Sequence, residues 1–212
     1  MRRTTPLALA AAAACLSSGC VTEERLTVPG QREQIVRVVD DDPQGDPTEE
    51  RLLEAVDDEP ESSRAWYALA NYYERRYRFR EALGAYQELQ ARIEVEERAT
   101  GKVYTGGQLA IGRVLGRLGR HGEAAAVLEA LLERQPQGVA PHPNFVEAHY
   151  LLGWIHLQRG DLDRAEWHLV THKQLAPDSS RVDTLLIRVL DARRQRATVQ
   201  GSFAPDSRGS GR

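Results

Sequence analysis

The chain has 212 residues, with 28 Lys and Arg against 31 Asp and Glu, and a formal charge of −3 at neutral pH. Basic and acidic residues interleave throughout and the pI is about 6.1, so composition provides no nucleic-acid surface. Two Cys, at positions 15 and 20, are too few for a disulfide scaffold or a Cys-based metal cluster.

Residues 1–19 read as an export signal. Arg2 and Arg3 give the positive start, residues 7–15 form an apolar run too short to span a bilayer, and Leu16-Ser17-Ser18-Gly19-Cys20 follows. This last stretch resembles a bacterial lipobox, departing from it in placing Ser17 where Leu is usual and Leu16 one residue earlier. The resemblance implies that Cys20 becomes a lipid-bearing N-terminus. Removal of residues 1–19 takes away two Arg and no acid, shifting the charge from −3 to −5 and leaving no free thiol. Several acyl chains, at about 0.8 kcal/mol per buried methylene, make such an anchor practically permanent. By analogy with enterobacterial sorting, Val21 after the Cys implies the outer membrane, facing the periplasm.

Residues 20–47 hold Pro29-Gly30, the acidic Asp40-Asp41-Asp42 and two further Pro, and predict a flexible tether. Within it, residues 35–39 (Ile-Val-Arg-Val-Val) are strand-prone.

Three later stretches overlay at a period of 41 to 42 residues. The first supplies Trp66, Leu69, Ala70, Tyr73, Ala82 and Tyr86. The second supplies Ile111, Gly112, Leu115, Ala124, Leu128 and Pro136, and the third Leu152, Gly153, Ala165, Leu169 and Pro177. Numbered within a repeat, these are positions 4, 7, 8, 11, 20, 24 and 32. The pattern resembles the tetratricopeptide repeat, a helix-turn-helix unit that stacks into an α-solenoid. The expected fold is therefore an all-α solenoid over 48–196. A half-repeat at 48–60 is capped by Thr48 with Glu49 and Glu50 behind it, and full repeats follow at 63–98, 104–136 and 144–177. The amphipathic helix at 180–196 closes the stack with a stripe of Val182, Leu185, Leu186, Val189 and Leu190, and 197–212 reads as a disordered tail. Each repeat exceeds the usual 34 residues through a longer junction. The first continues the helix to Thr100-Gly101, and the second is a Pro-rich loop over 136–143.

Small residues at positions 8 and 20 predict close helix approach, with Ala70 against Ala82, Gly112 against Ala124 and Gly153 against Ala165. The resemblance also implies partners on the concave face, at positions 2, 5, 9, 12 and 13 of each first helix. Carried over, the candidate groove comprises Arg64, Tyr67, Asn71, Glu74 and Arg75, then Arg113 and Arg117, then Glu147, Tyr150, Trp154 and Gln158. Its mix of Arg and aromatics suits a peptide with acidic and apolar groups. The groove lacks the basic and polar clamp of the cytosolic chaperone adaptors, since Tyr67 and Leu109 stand in those places.

Four of the six His fall in the third repeat, with His168 and His172 at i, i+4 and His149 and His156 on the preceding helix. Without an adjacent Glu or a Cys they are assigned to packing rather than to a metal, and His172 to the seam with the closing helix. Arg159-Gly160-Asp161 is read as the turn between two helices. No phosphate loop, nucleophile elbow or cofactor motif is present, so the expected function is that of a non-enzymatic scaffold or assembly factor. Its partner would be an envelope protein or a peptide segment of one, with self-association through the end of the stack as the alternative.

Overall fold

The computed structural model describes residues 21–26, 34–39, 47–138 and 140–202. The export signal 1–19 and Cys20 lie outside the described residues. Within the expected tether, two strands are formed, β1 (Val21–Leu26) and β2 (Gln34–Val39). They pair antiparallel with Val21 opposite Val39 and Leu26 opposite Gln34, so the β-branched cluster finds its partner in the stretch that follows Cys20. Residues 21–26 and 34–39 of the expected tether are thus paired strands.

Among the described residues eight helices follow: α1 (Pro47–Asp58), α2 (Ser63–Arg75), α3 (Phe79–Thr100), α4 (Gly106–Arg117), α5 (His121–Glu133), α6 (Pro143–Arg159), α7 (Leu162–Leu175) and α8 (Arg181–Ser202). Each packs on its neighbour in sequence, and α4 also packs on α6, so α2, α4 and α6 form one layer and α3, α5 and α7 the other. Among the described residues, no helix is long and apolar enough to cross a membrane.

The half-repeat helix α1 is held by its first turn. Tyr73 donates its hydroxyl hydrogen to Glu49 (3.0 Å), and Arg78 binds the other Glu49 oxygen at 2.6 Å. Burial and this hydrogen bond push the Tyr73 pKa up to about 12. Ser62 caps α2 by accepting from the Ala65 backbone N–H, and Asp161 caps α7 by accepting from that of Arg164.

Between the two helices of each repeat the chain turns through one left-handed residue. In the second and third repeats it is Gly119 (φ 73°) and Gly160 (φ 74°), whereas the equivalent place in the first is held by Tyr77 (φ 61°).

Position 20 is Ala in all three repeats, fully buried each time, and the small residue at position 8 lies closest to the Leu at position 24. A Cβ at Gly112 would sit 2.5 Å from Leu128 Cγ, and one at Gly153 2.6 Å from Leu169 Cγ. The small residue at position 8 therefore makes room for the Leu at position 24, and Gly153 also nears the carbonyl oxygen of Ala165 as expected. At the far end, α8 buries Val182, Leu185 and Val189 and half-buries Leu186. Leu190 departs from the expected stripe and is exposed. The helix also continues past the expected end at 196, as far as Ser202.

Candidate partner-binding groove

The two long junctions converge on one side of the solenoid. α3 runs about two turns beyond the core of its repeat and ends at Gly101, whose left-handed φ of 70° lets its N–H bond the Glu97 carbonyl. The chain returns through Val103, Tyr104 and Thr105 to open α4. The second junction ends at His142, which caps α6 through Nδ1, with Pro143 in the first turn. Side chains clamp these pieces together. Glu97 accepts from the Tyr104 backbone N–H (2.7 Å) and binds Arg134 (2.5 Å), while Asn144 donates to the Thr105 hydroxyl (2.7 Å).

What they enclose is an open groove of about 680 Å3 at the N-terminal ends of α2, α4 and α6. Leu89 and Ile93 of α3 and Phe145 of α6 line it, Val103 and Tyr104 form the lip, and Arg64 and Tyr67 stand on the α2 side. Tyr67 is 51% exposed and Val103 56%, large apolar groups left uncovered beside an apolar lining. Glu96 at the edge accepts the Tyr104 hydroxyl hydrogen (2.6 Å) and is not free.

The expected groove residues separate into two sets. Arg64, Tyr67 and Arg75 are exposed, and Asn71, Arg117 and Gln158 half-exposed, so these six remain available. The other five are engaged in the fold. Trp154 is 2% exposed, its six-membered ring lying where a Cβ on Gly116 would be 2.9 Å away and its edge meeting His121. Tyr150 is buried beside His172 and beneath the Arg181 guanidinium, 4.5 Å from the ring centroid. Arg181, from α8, also binds Glu147 at 2.6 Å. Glu74 takes a bidentate contact from Arg113 (2.7 and 2.8 Å) and the Tyr86 hydroxyl hydrogen (2.7 Å). Burial alone would raise the Glu74 pKa, but the Arg113 hydrogen bonds and charge overcome it and hold the carboxyl below its usual range. Trp154 and Tyr150 are thus buried, and Glu147, Glu74 and Arg113 are paired within the fold. The junction residues Ile93, Val103, Tyr104 and Phe145 line the concavity beside them.

The His of the third repeat form a buried cluster between α6 and α7. His149 and His168 bring their Nδ1 atoms to 3.0 Å, His156 stacks on His168 at 5.4 Å, and Trp167 meets both His149 and His168 edge-on. One Nδ1 carries a hydrogen and the other accepts it, an arrangement for neutral rings. Burial pushes the pKa down to about 4 at His149, with the charge of His172 adding, and to about 3 at His168, with His149, His156 and Arg164 adding. His172 lies on the α8 seam as expected, its Nδ1 against the Val146 carbonyl and its Nε2 against the Ser179 hydroxyl. Among the described residues no three His, Cys, Asp or Glu side chains are grouped as a metal would need.

A family model for the tetratricopeptide repeat matches residues 49–95 and 109–171, over half of the sequence. The chain belongs to the tetratricopeptide repeat family. No curated protein sequence matches it. Among solved structures, the MamA RS-1 ArsTM double mutant is similar at 15% identity, over 71% of this chain and 85% of that one, with a TM-score of 0.51. YrrB, described as a TPR protein with an unusual peptide-binding site, shares 15% identity over 73% and 80% of the two chains (TM-score 0.48). BtubC (BKLC) from P. vanneervenii shares 17% over 76% and 73% (TM-score 0.48). At these identities the MamA likeness speaks to the fold, an all-α tetratricopeptide solenoid. The family is one of non-catalytic repeat scaffolds, which makes this chain a protein-interaction scaffold.

Proposed function

We propose that the protein is a lipid-anchored scaffold or assembly factor of the bacterial envelope that holds a segment of one envelope partner in the junction-built groove. Residues 1–20 support the location, since a short basic-apolar signal ends at a Cys in lipobox context. Acylation of Cys20 would confine the solenoid to one membrane surface, the outer membrane by the residue that follows, and raise its effective concentration near partners there. The observation that carries the binding role is the groove itself, an apolar concavity of about 680 Å3 with Tyr67 and Val103 uncovered at its edge.

Photo-crosslinking in the native host tests it. A reactive residue at Tyr67 or Val103 is expected to capture one envelope protein that the same residue at Gln87, exposed on α3 of the opposite layer, does not capture. Equal capture from both layers would remove the groove from the reading. The anchor is tested separately, because a Cys20→Ser form that still fractionates with membranes rules out acylation as the tether.

A second reading rests on α8. Its outer face leaves Ile187 58% and Leu190 47% exposed, one turn apart, which favours self-association through the end of the stack. Sedimentation over a concentration series separates the two, since a dimer abolished by Ile187→Glu with Leu190→Glu supports the second.

A further inference from the structure

The concave face has its acids Glu74 and Glu147 paired within the fold, and of its cations Arg113 is paired too while three others are not. Glu74 is committed to Arg113 and Tyr86, and Glu147 to Arg181. Among the described residues Arg64, Arg75 and Arg117 form no hydrogen bond and no ion pair. Arg75 and Arg117 occupy equivalent places at the C-terminal ends of α2 and α4. Arg117 is half-buried, and burial pushes its pKa down, with the attraction of Glu74 opposing and the repulsion of Arg113 adding. The apolar groove lies at the other end of the same helices. From Tyr67 to Arg75 is eight residues of helix, about 12 Å. An extended chain covers that distance with about four residues.

We propose that the concave face takes an extended protein segment that seats one large apolar side chain in the junction-built groove and sets two carboxylates, about four residues away, against Arg75 and Arg117. This rests on the groove being the binding site, and adds to it the chemistry and spacing of the occupant. The apolar side chain fills the space bounded by Ile93, Val103 and Phe145 and supplies most of the affinity. The carboxylates select the segment and orient it, as charge pairs on an open face do. A uniformly acidic segment lacks the anchor, and a uniformly apolar one leaves the two guanidinium groups unanswered.

Fluorescence anisotropy on the detergent-solubilised full chain tests this with acetylated, amidated peptides carrying one Phe, four Gly or Ser and two Asp. The controls replace the Asp pair by Asn, or the Phe by Ala. The Asp peptide is expected to bind about tenfold tighter than the Asn peptide. That preference should disappear in Arg75→Gln with Arg117→Gln, which breaks no hydrogen bond or ion pair of the fold and adds no charge beside Glu74, and should shrink as salt is raised. Equal binding of Asp and Asn peptides overturns the carboxylate proposal, while the groove reading survives if Tyr67→Asp and Val103→Asp still weaken both. Binding of no peptide, or binding indifferent to Tyr67→Asp and Val103→Asp, overturns the groove reading and this proposal together.

Discussion

The buried His149–His168 pair should make the solenoid acid-sensitive well above the range where carboxylates protonate. Both rings are held neutral in the fold, with pKa pushed down to about 4 and about 3 against an ordinary 6.5. Below pH 6.5 the unfolded chain therefore binds protons that the folded chain refuses. Stability is full above that pH and falls as pH drops toward the folded values. At pH 5 the shifts correspond to about 2 kcal/mol for each ring, or about 4 kcal/mol together. Water screens the edge of the cluster near Trp167, which is 59% exposed, and reduces the expected loss to about half of that, about 2 kcal/mol. For a domain of this size, 2 kcal/mol lowers Tm by about 4–8 °C. Thermal melts followed by circular dichroism at pH 7.5 and pH 5.0 measure it, since Asp and Glu remain mostly ionised across that window. His149→Leu with His168→Leu removes both polar partners at similar volume and should abolish most of the pH difference, leaving the share of buried His156. Wild-type melts within 1 °C of each other, or a double variant that keeps the whole difference, would refute the reasoning.

Three further outcomes follow from the packing. Tyr77→Gly should raise stability by about 0.5–1 kcal/mol, because it relieves a left-handed residue that Gly occupies in the other two repeats, and a urea melt with unchanged m-value would show it. Gly112→Ala should cost about 1–3 kcal/mol in the same assay, since its Cβ would lie 2.5 Å from Leu128 in a core with no room to yield. On α8, Leu185→Ala should cost about 2–4 kcal/mol and loosen the C-terminal cap, whereas Leu190→Ala should leave the melt within about 0.5 kcal/mol.

The helices were legible because their positions are fixed by periodic apolar residues and by small residues at two places per repeat. Ala82, Ala124 and Ala165 alone set the register to within a residue. The turn at Arg159-Gly160-Asp161 was legible too, whereas its left-handed residue and the equivalents at Gly119 and Tyr77 came from the structure. The groove was read less well, for an identifiable reason. Position within a repeat says which way a side chain points on an average solenoid, not what a neighbouring repeat leaves open to it. Trp154 points toward the concave side, but Gly116 on α4 leaves a hole that the indole fills. Glu147 would be unpaired if the stack ended at α7, and Arg181 of α8 engages it while also covering the Tyr150 ring that already packs beside His172. The junctions were harder still. Their clamps join Glu97 to Arg134 and Asn144 to Thr105, pairs 37 and 39 residues apart with no periodic signature.

Those clamps explain why a repeat of 41 to 42 residues is more than a 34-residue repeat with slack in its connections. The extra residues of the first junction extend α3 and return the chain as a lip, and those of the second bring His142 and Pro143 to open α6 beside it. Neither segment forms a wall alone, since Val103 is exposed and Ile93 requires Phe145 opposite it to line a groove. Each clamp joins the junctions by partly exposed polar contacts, worth about 1 kcal/mol apiece, small beside the core packing that holds the repeats. An apolar side chain seated there would bridge the two junctions and add to what the clamps supply, so binding should order the wall that receives it.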